Sequence, residues 1–282
     1  MAAPSLSTPF QPYVYQSPQA AVTPFQILGG EAQIVQIMLK PQEKVLAKAG
    51  TMCYMSGSIQ MENVLPPENN GGGMWQWVFG KSVANTEFIN GGSQDGFVGV
   101  AAPSLSRILP IDLATFNGEI ICQPDSFICS VNDVTVTTMV NRRARPGIFG
   151  GEGILRQKLV GRGLAFIAAG GSVVQKNLAP GEALVVDAAC IVAMTSTIDF
   201  HVKNATSARR PVFGGDGLFT AHLTGPGIVF IQSLPFYRLS QRIARAVTSP
   251  NVRDNPRFFV QIGIFFFLAY IMIVSSLLLT DV

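Results

Sequence analysis

IFGGEGILRQKLVGRGLAFI, residues 148–167, and VFGGDGLFTAHLTGPGIVFI, residues 212–231, are two copies of one pattern. The phenylalanines Phe149 and Phe213 are 64 positions apart. Glycine adopts positive φ at no steric cost, so glycines at these spacings predict tight turns. Six of them are assigned structural turn roles: Gly150, Gly151, Gly153, Gly214, Gly215 and Gly217. The pattern therefore predicts a glycine-punctuated hairpin that the chain uses more than once.

The hairpin belongs to a longer unit that occurs three times, beginning near Leu39, Leu113 and Leu178. Each copy has a turn glutamate and then two apolar strands, and the glutamates are Glu43, Glu119 and Glu182. Short β-branched runs between turn signals are typical of a sandwich or barrel. A pair of hairpins cannot bury its apolar face alone, but three copies can. The sequence thus predicts an all-β fold that closes around a pseudo-threefold axis.

These motifs also carry a family resemblance. The PxE and PGE turns, the FGG[ED]G hairpins and GPGIVFIQS (225–233) resemble the altered-inheritance-of-mitochondria protein 24 family, also called the mitochondrial biogenesis family. The resemblance covers residues 27–233. It implies a fold similar to the tryptophan RNA-binding attenuator protein, with a three-repeat, double-stranded β-helix or barrel-like core. The yeast namesake of the family is associated with the mitochondrial inner membrane and its architecture.

The C-terminal end has a different composition. FFVQIGIFFFLAYIMIVSSLLL (258–279) contains no charged residue, although charged residues make up 13% of the whole chain. At about 1.5 Å per residue such a helix matches the thickness of a bilayer core. Arginines precede the stretch and none follows it, which predicts a cytosolic N-terminal domain. We therefore expect an integral, single-pass, tail-anchored membrane protein. The sequence does not distinguish among mitochondrial, endoplasmic reticulum and plastid envelope membranes.

The segment SLPFYRLSQRIARAV (233–247) predicts an amphipathic helix. One stripe is apolar, and the other carries Arg238, Arg242 and Arg245. Two interpretations stay open: the helix lies on anionic headgroups, or it packs on the globular domain with solvated arginines. The first 25 residues are rich in Pro, Ser and Ala and predict a flexible leader.

Sequence motifs for catalysis are missing. The chain has two histidines, His201 and His222, with no HxH, and it has neither GxSxG nor a GK[ST] phosphate loop. Metal enzymes built on double-stranded β-helices use two or three histidines and a carboxylate. We expect no catalytic, metal or cofactor site and therefore no enzyme.

A basic cluster at Arg142, Arg143 and Arg145 precedes the first of the two quoted hairpins. With the helix residues Arg238, Arg242 and Arg245, it is a candidate contact for anionic lipid or for an acidic partner surface. Aromatic residues are not interleaved with these arginines, and the net charge is only +3, which disfavours nucleic acid.

Together these predictions divide the chain into a leader (1–25), a β-repeat domain (26–233), an amphipathic helix with a linker (234–257) and a tail anchor (258–279). The expected partners are the bilayer, through 258–279, and either a second copy or another protein. We expect a membrane-anchored, non-enzymatic scaffold that supports organelle or membrane organisation. The alternative is a sensor module that binds a small ligand or lipid between repeats.

Overall fold

The structure is a computed structural model that describes residues 8–13, 25–64, 85–123, 126–140, 155–204, 219–248 and 256–280. The chain divides into two compact units, Met1–Pro235 and Phe236–Val282. In its described residues the first unit consists of β-strands with two short 3-10 helices, and the described residues of the second are α-helical.

Three repeats of six strands follow one another along the first unit. Repeat 1 comprises β3 (Ile34–Leu39), β4 (Lys44–Lys48), β5 (Met52–Met55), β6 (Ile59–Val64), β7 (Asn85–Asn90) and β8 (Gly96–Ala101). Repeat 2 comprises β9 (Ser106–Asp112), β10 (Glu119–Cys122), β11 (Phe127–Val131), β12 (Val134–Val140), β13 (Leu155–Gly161) and β14 (Leu164–Gly170). Repeat 3 comprises β15 (Val173–Leu178), β16 (Ala183–Asp187), β17 (Ile191–Met194), β18 (Asp199–Asn204), β19 (Phe219–Thr224) and β20 (Gly227–Gln232).

Two strands precede the repeats, and the two described 3-10 helices lie within repeats 2 and 3. The preceding strands are β1 (Gln11–Pro12) and β2 (Phe25–Leu28). Helix η1 (Leu113–Phe116) lies between β9 and β10, and η2 (Ala188–Cys190) lies between β16 and β17. An aspartate side chain accepts a backbone N–H at the start of each 3-10 helix, Asp112 for η1 and Asp187 for η2.

Strand pairing is the same in every repeat and always antiparallel. The sixth strand pairs with the first and the third: β8 with β3 and β5, β14 with β9 and β11, and β20 with β15 and β17. The fifth strand pairs with the second and the fourth: β7 with β4 and β6, β13 with β10 and β12, and β19 with β16 and β18. The third strand also bulges at the same point in each repeat, at Cys53, Ile128 and Val192.

Neighbouring repeats join through one strand pair each. The second strand of one repeat pairs with the third strand of the next, β4 with β11 and β10 with β17. Among the described strands, β5 pairs with β8 alone and β16 pairs with β19 alone, so repeats 1 and 3 do not join. The result is four antiparallel sheets of seven, six, three and four strands. The predicted closed, barrel-like core around a threefold axis is therefore wrong, because its closing strand pair does not form.

The repeats form strands because apolar side chains alternate along them. In β3 every second residue is fully buried, namely Val35, Ile37 and Leu39. Three apolar clusters follow along the chain, and the first two each combine residues of a repeat with residues of the next one. Burial of this shared apolar surface is what holds adjacent repeats together.

One glycine shows why the hairpins need this residue. Gly161, the last residue of β13, has a φ of 142°. A Cβ atom there would lie 2.0 Å from the carbonyl oxygen of Asp133. Backbone therefore occupies the space that any side chain needs, and only glycine fits this turn.

The C-terminal unit contains helices α1 (Phe236–Thr248) and α2 (Pro256–Thr280). Within the part of the chain that the structure describes, no helix combines the length and the apolarity that crossing a bilayer requires. The predicted transmembrane helix at 258–279, and with it the integral single-pass placement facing the cytosol, is wrong.

Candidate functional site

A lysine occupies a core position in repeat 3. Lys176 lies in β15 opposite Val229, and its side chain is only 3% exposed. The same position holds Ile37 in repeat 1 and Ile111 in repeat 2, and both isoleucines are fully buried. A buried ammonium group is costly unless charged and polar partners surround it. The partners of Lys176 therefore define a specialised place in an otherwise repetitive core.

The ammonium group of Lys176 has partners from two parts of the chain. The carboxylate oxygen Oε1 of Glu182 lies 2.8 Å from Nζ. Nζ also donates to the carbonyl oxygen of Thr8, and Thr8 Oγ1 lies 3.0 Å away. The centre of the Phe10 ring lies 5.2 Å from Nζ, within the range of a cation–π contact. We call Lys176, Glu182, Thr8 and Phe10 the lysine cluster.

Glu182 is held in place by its own turn. The backbone N–H of Ala179 donates to Glu182 Oε2 at 2.9 Å. Lys176 foremost, and then this backbone N–H, stabilise the carboxylate and lower the pKa of Glu182 to about 2. Glu182 is therefore ionised at neutral pH, which gives the buried ammonium a fixed counter-charge.

The N-terminal segment 8–13 reaches the lysine cluster by extending a sheet. β1 pairs with β15, with Gln11 opposite Gln175 and Pro12 opposite Val174. Beyond β1, the ring of Tyr13 meets Phe230 edge to face, with centroids 5.2 Å apart. The Tyr13 hydroxyl donates to the carbonyl oxygen of Pro110. The lysine cluster thus attaches the non-repeated segment 8–13 to repeat 3.

Sequence reasoning missed Lys176, although the sequence contains a signal for it. Leu39, Leu113 and Leu178 mark the same place in the three copies. Counting back two residues from each leucine aligns Ile37, Ile111 and Lys176. No signal in the sequence identifies Thr8 as the partner, because residues 8–13 lie outside the repeats.

A second polar site lies where repeats 2 and 3 meet. A pocket of about 290 Å³ is lined by η1 residues, the β17–β18 turn and the start of β20, and Glu119 is on its wall. Glu119 forms an ion pair with Lys158 on the adjacent strand at 2.5 Å. Hydrogen bonds from Lys158 and then Ser196 lower the pKa of Glu119.

The three turn glutamates do not occupy one equivalent position. Glu43 and Glu182 each accept a backbone N–H from their own turn, at 2.9 Å. Glu119 is instead the first residue of β10 and faces Lys158. The residue of repeat 1 at the Glu119 position is Lys44, which pairs with Glu87 at 2.7 Å. Repeats 1 and 2 therefore each have an ion pair at this place, and the positions of the acidic and basic residues are exchanged between the two repeats.

The two histidines lie side by side on a sheet. His201 on β18 is directly opposite His222 on β19, and His201 pairs with Asp199 at 3.0 Å. Over the described ranges, no group of three or more His, Cys, Asp or Glu side chains is arranged to hold a metal ion.

Of the arginine and glycine sites indicated by the sequence, only the arginines of α1 lie among the described residues. Arg238 and Arg242 lie on α1, and Arg245 belongs to the same helix. On this helix the apolar residues Phe236, Ile243 and Val247 are each more than half exposed. Two groups lie outside the described residues: Arg142, Arg143 and Arg145, and the glycines Gly150, Gly151, Gly153, Gly214, Gly215 and Gly217.

These features define a mostly β repeat protein whose ion pairs join separate parts of each repeat. The chain belongs to the mitochondrial biogenesis AIM24 family, whose sequence profile matches residues 25–234. This confirms the resemblance seen in the sequence, and the family indicates a role related to mitochondrial biogenesis. The X-ray crystal structure of protein SPYM3_0169 from Streptococcus pyogenes is similar in fold, with a TM-score of 0.62 and 18% identity over 79% of this chain and 99% of that chain. No curated protein matches the sequence significantly.

Proposed function

We propose that the chain is a non-enzymatic scaffold protein that supports mitochondrial biogenesis by holding other proteins or further copies of itself together. The observation that carries this proposal is the use made of charged residues in the β unit. The pairs Lys44–Glu87, Glu119–Lys158 and Lys176–Glu182 all join separate strands or segments. Residues used in this way stabilise a framework, and frameworks of repeats offer long surfaces for partners.

Helix α1 is the proposed contact surface for a protein partner. It combines exposed apolar residues with Arg238 and Arg242, the mixture that an amphipathic partner helix or an acidic groove recognises. We assign the basic cluster Arg142, Arg143 and Arg145 the same role. Arginine is suited to this because its guanidinium group binds carboxylates in a bidentate manner.

The test uses full-length chain in cells that lack the endogenous protein. The variant Arg238→Glu/Arg242→Glu reverses charge on α1, and Arg107→Glu is the matched control on β9. We expect the α1 variant to lose a native assembly and the mitochondrial role together, while circular dichroism and the unfolding midpoint stay unchanged. The control keeps both. A chain that restores the role but migrates as a monomer in every extract overturns the scaffold proposal.

The pocket between repeats 2 and 3 supports the alternative of a small-ligand sensor. Its wall offers a carboxylate at Glu119 and hydroxyl groups at Thr195, Ser196 and Thr197, which suit a polar ligand. Native mass spectrometry of the purified chain tests this function. A retained small molecule that is lost in Thr197→Trp, but kept in Thr135→Trp on β12, favours the sensor over the scaffold.

A further inference from the structure

The joints between repeats follow one rule. The second strand of a repeat pairs with the third strand of the next repeat, β4 with β11 and then β10 with β17. The register is also shared, because Leu46 is opposite Ser130 in the first joint and Ile121 is opposite Met194 in the second. The chain therefore contains two working examples of one strand-to-strand joint.

The same joint is left half-made at each end of the repeat array. β16 is the second strand of repeat 3, and the described residues contain no later repeat. β5 is the third strand of repeat 1, and the described residues contain no earlier one. In the described residues each of these strands pairs on one side only. The fourth strands, β6, β12 and β18, are sheet edges in all three repeats, so an edge there belongs to the fold itself.

Burial shows what the missing neighbour leaves uncovered. The third strands β11 and β17 are buried at every residue, whereas Met52 and Cys53 of β5 are exposed. In β4 the inward residues Val45 and Ala47 are fully buried, but their counterparts in β16 are only half-buried. Both ends thus expose apolar strand surface that the interior joints cover.

We propose that β16 of one copy pairs with β5 of a second copy, so that chains assemble head to tail. This deepens the proposed scaffold function, on which it rests, by naming the partner as the chain itself. The shared register places Val185 opposite Met55 of the next copy, because Val185 occupies the place of Leu46 and Ile121. Val185 is 56% exposed, while Ile121 packs into the third apolar cluster.

A second copy fits this edge better than an unrelated strand does. The interior joints use a third strand that bulges at one fixed point, and β5 has the same bulge as β11 and β17. The two edges differ from each other, so the contact is heterologous: each copy presents one free β16 and one free β5. Such a contact adds copies in a row.

Disulfide trapping tests both the contact and its direction. Val185→Cys and Met55→Cys are made in separate full-length proteins that also carry Cys53→Ser, which removes an exposed native thiol. Directly opposed antiparallel residues have Cβ atoms close enough for a disulfide bond. We expect a cross-linked heterodimer, at least tenfold above background, when the two proteins are mixed and oxidised. Val185→Cys mixed with Met61→Cys, on the edge strand β6, is the control and stays at background.

Three results overturn the proposal. The first is a mixture that cross-links no more than its control. The second is Val185→Cys protein that dimerises by itself, which indicates a symmetric β16–β16 contact. The third is a doubly substituted chain that closes its disulfide within one molecule. The scaffold function stands in each case if the α1 variant still loses its assembly, so the two proposals fail separately.

Charge placed on the edge provides a second readout. Val185→Lys puts an ammonium group on the free edge of β16, and edge lysines prevent strand addition. Val160→Lys is the matched control, because Val160 is also exposed but its strand β13 is paired on both sides. Sedimentation velocity is expected to show monomers for Val185→Lys and concentration-dependent oligomers for the wild type and Val160→Lys. Oligomers that persist unchanged in Val185→Lys contradict the proposal.

Discussion

Ile37 in repeat 1 and Lys176 in repeat 3 occupy the same place in two copies of one structural unit. Ile37 is fully buried among apolar neighbours. Lys176 is almost as buried, yet it contacts a carboxylate, a threonine and an aromatic ring. The comparison shows that the repeat architecture determines which position is buried. Contacts from a segment outside the repeats allow a charged side chain to occupy that buried position in repeat 3. Among the described contacts, segment 8–13 supplies the threonine and the aromatic ring to repeat 3 alone, whereas the carboxylate of Glu182 comes from repeat 3 itself.

Placing the charge in the wrong repeat has the largest expected effect. Ile37→Lys buries an ammonium group in repeat 1, where Glu43 occupies the place of Glu182 but neither Thr8 nor Phe10 reaches the site. A buried charge that lacks part of its partners costs up to about 3–5 kcal/mol, a large part of the stability of a domain. Urea unfolding followed by far-UV circular dichroism measures this loss of stability. Ile37→Met is the control, because it keeps an apolar side chain of similar volume and is expected to cost less than about 1.5 kcal/mol.

Separating segment 8–13 from the lysine has the next largest effect. Thr8→Val keeps the shape of the side chain but removes the hydroxyl that Lys176 Nζ contacts. A hydrogen bond to a charged group contributes about 1.5–3 kcal/mol, and we expect a loss of that size in the wild type. In the Lys176→Met background the same substitution should cost much less. A double-mutant cycle from urea unfolding gives the coupling energy between Thr8 and Lys176. Equal costs in both backgrounds contradict the proposed interaction of the two side chains.

The dependence of stability on pH tests the contribution of Glu182 to the lysine cluster. Its folded-state pKa of about 2 lies below the ordinary value of 4.5. A carboxyl with a lowered pKa contributes stability that is complete above about pH 4.5 and is lost as the pH falls towards 2. The urea midpoint should therefore fall across this window in the wild type and fall less in Glu182→Gln. Glu43→Gln removes a carboxylate with the same turn hydrogen bond and is expected to leave the wild-type slope nearly intact.

The smallest effect concerns the exchanged ion pair of repeats 1 and 2. Lys44 is 64% exposed, and solvent screens its attraction to Glu87. Lys44→Glu should cost about 0.2–1 kcal/mol, and adding Glu87→Lys should restore most of it. The restored variant has the charge order of repeat 2. If the double variant is as unstable as the single one, the pair contributes nothing measurable.

The sequence identified the repeated β pattern because glycine turns and apolar alternation depend on nearby residues. Strand β3 is an example, since the alternation of Val35, Ile37 and Leu39 is visible within one short segment. Closure of the array is different, because it depends on whether β5 and β16 meet, and these strands are far apart along the chain. The period of a repeat does not determine this. Apolar content likewise suggested a membrane anchor at 258–279, which the structure contradicts.

The candidate site was less accessible to sequence reasoning than the fold. Alignment of the leucines that end the first strands reveals Lys176 as an exception, but the chemistry that accommodates it comes from Thr8 and Phe10. These residues lie in a stretch whose composition predicts only a flexible leader. Their contacts with Lys176 span 168 positions of sequence for Thr8, and no local pattern encodes such a separation.

The exchange of charges between Lys44–Glu87 and Glu119–Lys158 has a consequence for misfolding. Repeats with the same strand order can form hybrids in which a strand of one copy takes the place of its counterpart in another. If β4 paired with β13, Lys44 would face Lys158, and β10 paired with β7 would place Glu119 beside Glu87. Either error brings like charges together, so the exchanged charges disfavour the substitution of one copy for the other while the chain folds.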